Sequence, residues 1–550
     1  MSNIFVMPSR NVQVYVNARV YTADKKNPEA TAFAVENGRF AYVGGEEGAK
    51  KYGEPQDLGG RRVVPGFIDS HAHPVADAAL NALNAIEIPP DANESQALKL
   101  IARKSLLRSH RNLRIVVARG VTNPHFKLTA KDLDSAVKDR PAILLTEDCH
   151  AAWMNSKALE ISEITKGTPD PIPGISYFQR DFSGNPTGFI VEATALYPLI
   201  KKLGICGTRA IKKGLPPLLS TYAKYGYTGC VDVGFLMLEE DKALRALSQM
   251  AESGSLKMHY FTSYVYFGPI VDSPEGALKK MLSLRKKYAS QLLRPNILKL
   301  HIDGTLELAS AWMFDEYCIE GKGKGAPLLT LKAMLPVARL AADNGFDIHV
   351  HAIGDKAISE ALHLMESLGK IRGTKTIAHC QIFPADGVER FKRQGDIFMQ
   401  TTANWLNADD FTKRMLGPER YAMQVPIGSM VRAGVPVTFS SDSIGGEMGI
   451  DPFYNIYHAV QRKYDDGKEI IPPNSEGISL ADAIDAYTIN CAKQADADAE
   501  IGSITPGKYA DFAVLDKDPF SIPVKELKNV GVQKTFFCGE CIFDAKNTVD

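Results

Sequence analysis

Arg62-Val-Val-Pro-Gly-Phe-Ile-Asp-Ser-His71-Ala-His73 is an apolar run that ends in two histidines. Its β-branched and aromatic residues predict a strand. Residues two apart on a strand point to the same face, so His71 and His73 present their imidazoles side by side. Two neutral imidazoles in that arrangement make a chelating pair for zinc or a related divalent ion. The same spacing also occurs in histidines with no shared role, and the rest of the chain has to decide between the two.

Downstream, strand-like runs alternate with helical patterns, the order of a parallel α/β fold. Eight runs read as the strands of a (β/α)₈ barrel: residues 67–71, 228–233, 259–265, 297–302, 347–351, 376–379, 397–400 and 437–441. His351 closes the fifth and His379 the sixth, Asp442 follows the eighth, and Lys299 lies on the fourth. Catalytic groups of such barrels gather at the C-terminal ends of the strands. A buried Lys or Asp is rare unless it is paired or metal-bound, so five or six such groups on one rim suggest a shared cation. His349 shares the face of His351, and His301 that of Lys299, displaced in depth by roughly 6–7 Å. His351 is preferred because it lies nearer its strand end. Asp69 shares the face of His71 but lies deeper, and reads as a structural hydrogen-bonding group.

The gap between the first two barrel strands is far longer than a normal connection. Residues 75–224 read as a large insertion that covers the mouth of the barrel, with strand-like pieces of its own near residues 114–117 and 142–145. The first 64 residues are strand-rich. Val12-Gln-Val-Tyr-Val-Asn17 and Arg19-Val-Tyr-Thr22 read as strands around a turn, and Glu36-Asn37-Gly38 as a hairpin turn. Residues 500–550 resemble them, so residues 1–64 and 500–550 are expected to pair into one small β-sandwich beside a barrel spanning 65–499.

Lys plus Arg and Asp plus Glu both number 64, which gives no net positive field of the kind nucleic-acid binders carry. The eight cysteines are sparse for 550 residues, unlike a secreted disulfide framework. Cys538-Gly-Glu-Cys541 is one CxxC without a second pair, and reads as two ordinary hairpin cysteines. The first residues lack the pattern of a signal peptide, and no apolar run is long enough to span a bilayer. The expectation is a cytoplasmic protein, without membrane or nucleic-acid partners, acting on a small molecule, with a homodimer as the default assembly.

Pro65-Gly-Phe-Ile-Asp-Ser-His-Ala-His73, His351-Ala-Ile-Gly-Asp355, Ile377-Ala-His379 and Ser440-Ser-Asp442 resemble motifs of the YtcJ-like branch of the amidohydrolase superfamily. Gly184-Asn-Pro-Thr-Gly188 with Glu192, and the run from Gly502 to Asp511, are similar to further segments of it. The resemblance extends from about Val12 to Phe543. It implies a distorted TIM barrel with a β-sandwich from both chain ends, and hydrolysis of an amide or related C–N bond by a metal-activated hydroxide. By that resemblance His71, His73 and Asp442 hold one metal, His351 and His379 a second, and Lys299 bridges them as a carboxylated lysine. The metal is expected to be zinc, one ion or two, and Asp442 the proton carrier. Lys299 could instead stand uncarboxylated at a one-metal site, and Glu192 is a further candidate ligand.

In Glu147-Asp-Cys-His150-Ala-Ala-Trp153 the resemblance brings His150 and Trp153 toward substrate, against a plain loop role. Trp405 follows the seventh strand and either lines the pocket or packs. Asp355 reads as a helix cap. His110, His125, His259, His363 and His458 lack a partner pattern and read as surface or structural. N-substituted formamides or other small N-acyl compounds are the substrates the resemblance points to. Its rivals are an aminohydrolase, a cyclic-amide hydrolase and, in a different class, a non-catalytic binding scaffold.

Overall fold

The computed structural model describes residues 12–547 apart from 122–125, 205–206, 235–238, 270, 406–409, 444–446, 464–467 and 469–473. His125 and Cys206 lie outside the described residues. Eight parallel strands follow one another in chain order: Phe67–Ala72, Tyr227–Asp232, His259–Val265, Leu293–His301, Asp347–Ala352, Lys375–His379, Ile397–Thr401 and Val437–Phe439. All eight expected runs are strands. The first, second and fifth are buried along their whole length. That burial takes in the polar residues they carry, among them Asp69, His71, His349 and His351. Phe67, Leu247, Leu298, Ile358, Ile377 and Phe439 belong to one large core that joins the strands to the surrounding helices.

The eighth strand ends earlier than the sequence suggests, because the chain after Phe439 bonds sideways instead of along the ladder. Gln400 Nε2 donates to Ser440 Oγ at 2.6 Å, and the Ser441 N–H donates to Asp69 Oδ1 at 3.0 Å. The same stretch brings the eighth strand back to the first: Ser70 Oγ donates to the Phe439 carbonyl at 2.7 Å, and the Asp442 N–H to the His71 carbonyl at 2.9 Å.

The insertion builds its own six-stranded sheet, in the order Tyr177–Arg180, Pro186–Val191, Ala151–Met154, Ala142–Thr146, Val116–Val121 and Ile86–Glu87. Separate apolar clusters contain Ile143 and Ile190 on one hand and Val116 and Trp153 on the other. The two ends of the 75–224 stretch instead belong with the barrel. Helix Pro74–Ala82 packs on helix Thr208–Lys224. Gly214 permits that approach, since a Cβ there would lie 1.9 Å from the Ala78 carbonyl oxygen.

The N- and C-terminal parts share one eight-stranded sheet. Phe512–Leu515 pairs with Pro55–Pro65, which pairs in turn with Val12–Tyr21. Val12–Tyr21 is a single strand where the sequence suggested two around a turn. Asn17 adopts φ 51° and the register shifts there, which gives a bulge. The Asn37-Gly38 turn forms as expected, both residues having positive φ. The sheet then folds back on itself: the Phe40 N–H donates to the Lys508 carbonyl at 2.9 Å. Tyr15, Phe33, Phe40, Phe512 and Phe536 fill the space enclosed. No helix among the described residues is long and apolar enough to cross a membrane.

Candidate active site

The first strand delivers His71 into the barrel and leaves His73 at the start of the following helix. The His73 Nδ1–H donates to the Gly234 carbonyl at 3.1 Å, so the Nε2 lone pair faces inward, 3.6 Å from Asp442 Oδ1. His71 Nε2 is also 3.6 Å from Asp442 Oδ1 and 3.3 Å from Lys299 Nζ. His379 Nδ1 is 3.4 Å from Asp442 Oδ2 and, though buried, has no hydrogen-bond partner among the described residues. The His351 ring lies 4.4 Å from that of His379, centroid to centroid. Its Nε2 faces the Gly304 carbonyl at 3.4 Å and Asp303 Oδ1 at 3.6 Å, which leaves Nδ1 as the open lone pair. Lys299 is only 1% exposed.

Burial sets the charge state of this cluster. It drives His71, His351 and His379 well below the ordinary imidazole range, and the Lys299 charge adds to the effect on each. His73 falls to about 3 for the same first reason. Burial also pushes Lys299 down and Asp442 up, and their mutual attraction opposes both shifts. The result is a ring of neutral imidazoles around one carboxylate. His71, His73 and Asp442 each offer a ligand atom, all within 4.8 Å of one another. Neutral nitrogen donors aimed at one point, with the buried Nδ1 of His379 unpartnered, fit a divalent ion better than a closed hydrogen-bond network.

The structure separates the histidine pairs that the sequence left open. His349 lies beneath the rim, its Nε2 2.9 Å from His71 Nδ1, so it fixes how His71 is turned. His301 stands beside His351, the ring centroids 5.2 Å apart. Asp69 is structural, as its depth implied. It accepts from Ser441 Oγ, the Ser441 N–H and Tyr222 Oη. Asp355 is the first residue of its helix, with Gly354 as the cap, and it accepts from the Phe314 N–H at 2.9 Å.

Glu192 does not join the histidine–aspartate cluster. It is fully buried, 2.7 Å from His150 Nδ1, and its other oxygen accepts from Ser310 Oγ. Burial works against a charge on His150, but the carboxylates of Glu192, Asp148 and Asp442 outweigh it and raise its pKa to about 9. The His150 ring reaches the rim, 6.1 Å from that of His351. Gly304 makes room for this pair, since a Cβ there would fall 2.0 Å from Glu192 Oε1. Asp442, His379 and Glu192 all have positive φ, a conformation that costs non-glycine residues energy and gathers at functional sites.

Trp153 corrects the sequence reading. It is 0% exposed in the insertion and stacked on Phe189 at 4.7 Å, so it packs the insertion and presents no surface at the rim. The strand carrying it alternates faces, and His150 before it is the residue that reaches out. Trp405 is 38% exposed and lies parallel to His379 at 5.9 Å, a position on the wall of the site. The sequence reading missed Asp303, which accepts from the Trp312, Ile353 and Gly354 N–H groups and so holds the loop beyond His351. Its signal was available: it is a carboxylate just past an apolar strand, the cue that found Asp442.

A family model described as the amidohydrolase family matches residues 54–543. The chain is 35% identical over 440 residues to the exoenzymes regulatory protein AepA of Pectobacterium carotovorum subsp. carotovorum, covering 77% of this chain and 92% of that one. It is 27% identical over 543 residues to the N-substituted formamide deformylase of Arthrobacter pascens, covering 95% and 97% of the two chains. The crystal structure of an uncharacterized metal-dependent hydrolase from Pyrococcus horikoshii OT3 shares the fold, with a TM-score of 0.73 at 23% identity over 93% of this chain and 99% of that one. The chain belongs to the amidohydrolase family.

Proposed function

We propose that this protein hydrolyses an amide-type carbon–nitrogen bond of a small molecule with a divalent metal held at the barrel rim. The observation that carries the reading is the convergence of four neutral imidazoles and Lys299 around Asp442, whose side chain is 9% exposed. His71, His73 and Asp442 would hold one ion and His351 and His379 a second, with Lys299, carboxylated, between them. Zinc suits this nitrogen and oxygen donor set. When bound, such an ion polarises a carbonyl and makes hydroxide available from water near neutral pH.

The chain's own residues do the rest. Asp442, the carboxylate among these histidines, would take the proton of the attacking water and pass it to the leaving nitrogen. His150, charged through Glu192, offers an N–H to the oxygen on which negative charge develops. Trp405 gives the substrate an aromatic wall beside His379. N-substituted formamides and small N-acyl compounds are the first substrates to try, since one relative is named for deformylating the former.

A second reading is a non-catalytic regulator, favoured by the name of the AepA relative. Every rim position is filled here by a residue able to ligate or carry protons, which speaks for catalysis. The test is hydrolysis across an amide panel by the zinc-replete protein, with released ammonia measured to distinguish a deaminase. Turnover abolished by a chelator supports the proposal. No hydrolysis of any panel member by a metal-replete protein would sink it.

A further inference from the structure

We propose that His259, Asp511 and Cys538 form a second metal site, structural in role and far in sequence from the rim ligands, which takes a zinc-class divalent ion. Each of the three offers a ligand atom, and these atoms all lie within 4.8 Å of one another. They come from three separate segments. His259 opens the third barrel strand, at the end opposite the rim. Asp511 precedes the strand Phe512–Leu515 of the terminal sheet. Cys538 begins the turn between Val532–Phe537 and Glu540–Asp544. An ion bound by all three would pin the terminal sheet to the base of the barrel.

Two of the ligands already meet in a hydrogen bond, and a bound ion would displace its proton together with that of the thiol. His259 Nε2 lies 2.8 Å from Asp511 Oδ2, and the Cys538 N–H donates to Asp511 Oδ1 at 2.8 Å. The rings of Tyr509 and Phe537 flank His259 at 5.2 and 4.9 Å and shield the site. His259 and Asp511 are buried, while Cys538 is partly exposed. That leaves an approach for the ion and for a water to complete a tetrahedron. The His259–Asp511 contact accounts for two of the three side chains, and the Cys538 side chain packs on the apolar cluster that contains Val231 and Tyr509, which holds its sulfur beside them.

Cys538 is also an unusual residue for its place. It has φ 48° and is followed by Gly539 at φ 76°. A two-residue turn of that kind favours Asn, Asp or Gly in its first position. Cysteine loses the local hydrogen bonding of Asn and Asp, yet supplies the one soft ligand of the group. A thiolate with imidazole and carboxylate selects zinc or cobalt over magnesium and calcium, which prefer oxygen alone.

The test is cobalt substitution in the full-length protein. The rim offers only nitrogen and oxygen ligands, so a near-ultraviolet sulfur-to-cobalt charge-transfer band reports on Cys538 without interference from it. The wild type should show this band, C541S should keep it, and C538N and H259Q should lose it. C538N should bind one metal equivalent fewer per chain, and it keeps a residue suited to the turn, so loss of fold does not confuse the result. Absence of the band at saturating cobalt, or its survival in C538N, would overturn the site.

Discussion

The barrel and the insertion both send histidines to the same rim, and they send them in opposite charge states. His73, on the barrel, is pushed down to about 3 by burial. His150, on the insertion, is half-buried, and against that burial it is raised to about 9 by the carboxylates of Glu192, 2.7 Å away, Asp148 and Asp442. One residue type thus serves as lone-pair donor in one region and as N–H donor in the other. His73 also faces a carboxylate, Asp442 at 3.6 Å, but burial pushes that group up to about 7, whereas Glu192, against its burial, is held below its ordinary range by His150 and Ser310; the charge of the neighbouring carboxylate decides that of the histidine.

Four substitutions probe that contrast, the strongest first. Asp442→Asn should lower kcat by about 10³-fold while the protein stays folded, because it removes the proton carrier and keeps the shape. Steady-state rates beside a thermal melt check this, and near-full turnover would refute the assignment. Trp153→Ala should destabilise by about 3–5 kcal/mol, the cost of emptying an aromatic site in a core. Metal affinity at the rim should be unchanged, which would confine Trp153 to the packing of the insertion. His349→Leu should weaken zinc binding by about 10–100-fold, since it removes the group that orients His71. A competitive chelator titration measures it, and unchanged affinity would return His349 to a purely structural role.

Glu192→Gln should have the smallest effect, about tenfold in kcat/KM, the loss of one charge-assisted donor. Its pH signature is more telling than its size. In the wild type the His150 charge is complete below the ordinary value of 6.5 and is lost as pH rises through about 9. The stabilisation it contributes follows the same course, being full at the acid end of that window and gone at the alkaline end. Glu192→Gln should move the alkaline limb of activity to lower pH. A limb that stays in place would detach His150 from catalysis.

Much of the barrel was legible because parallel strands buried on both faces read as apolar runs, and a polar residue at the end of such a run stands out. Phe67 to His73 and Ile377 to His379 are of this kind. The choice between His349 and His351 was legible only as depth, and the folded chain adds the contact of His349 with His71. Trp153 was misread because its strand belongs to a sheet with cores of its own, which the local pattern does not reveal. Glu192 was left open because a carboxylate beyond an apolar strand signals a functional partner without naming it. Its partner His150 lies on an adjacent strand connection that only the folded sheet brings near.

The strand Pro55–Pro65 carries a consequence for how the molecule is made. One of its neighbours, Val12–Tyr21, precedes it in the chain, but the other, Phe512–Leu515, is synthesised only after the whole barrel. A nascent chain therefore emerges with an open β-edge that has to wait for its last partner, and such long-range pairings form slowly. Until then the edge is a template for other chains. Ribosome-stalled or C-terminally clipped forms should cross-pair with one another before they lose the barrel.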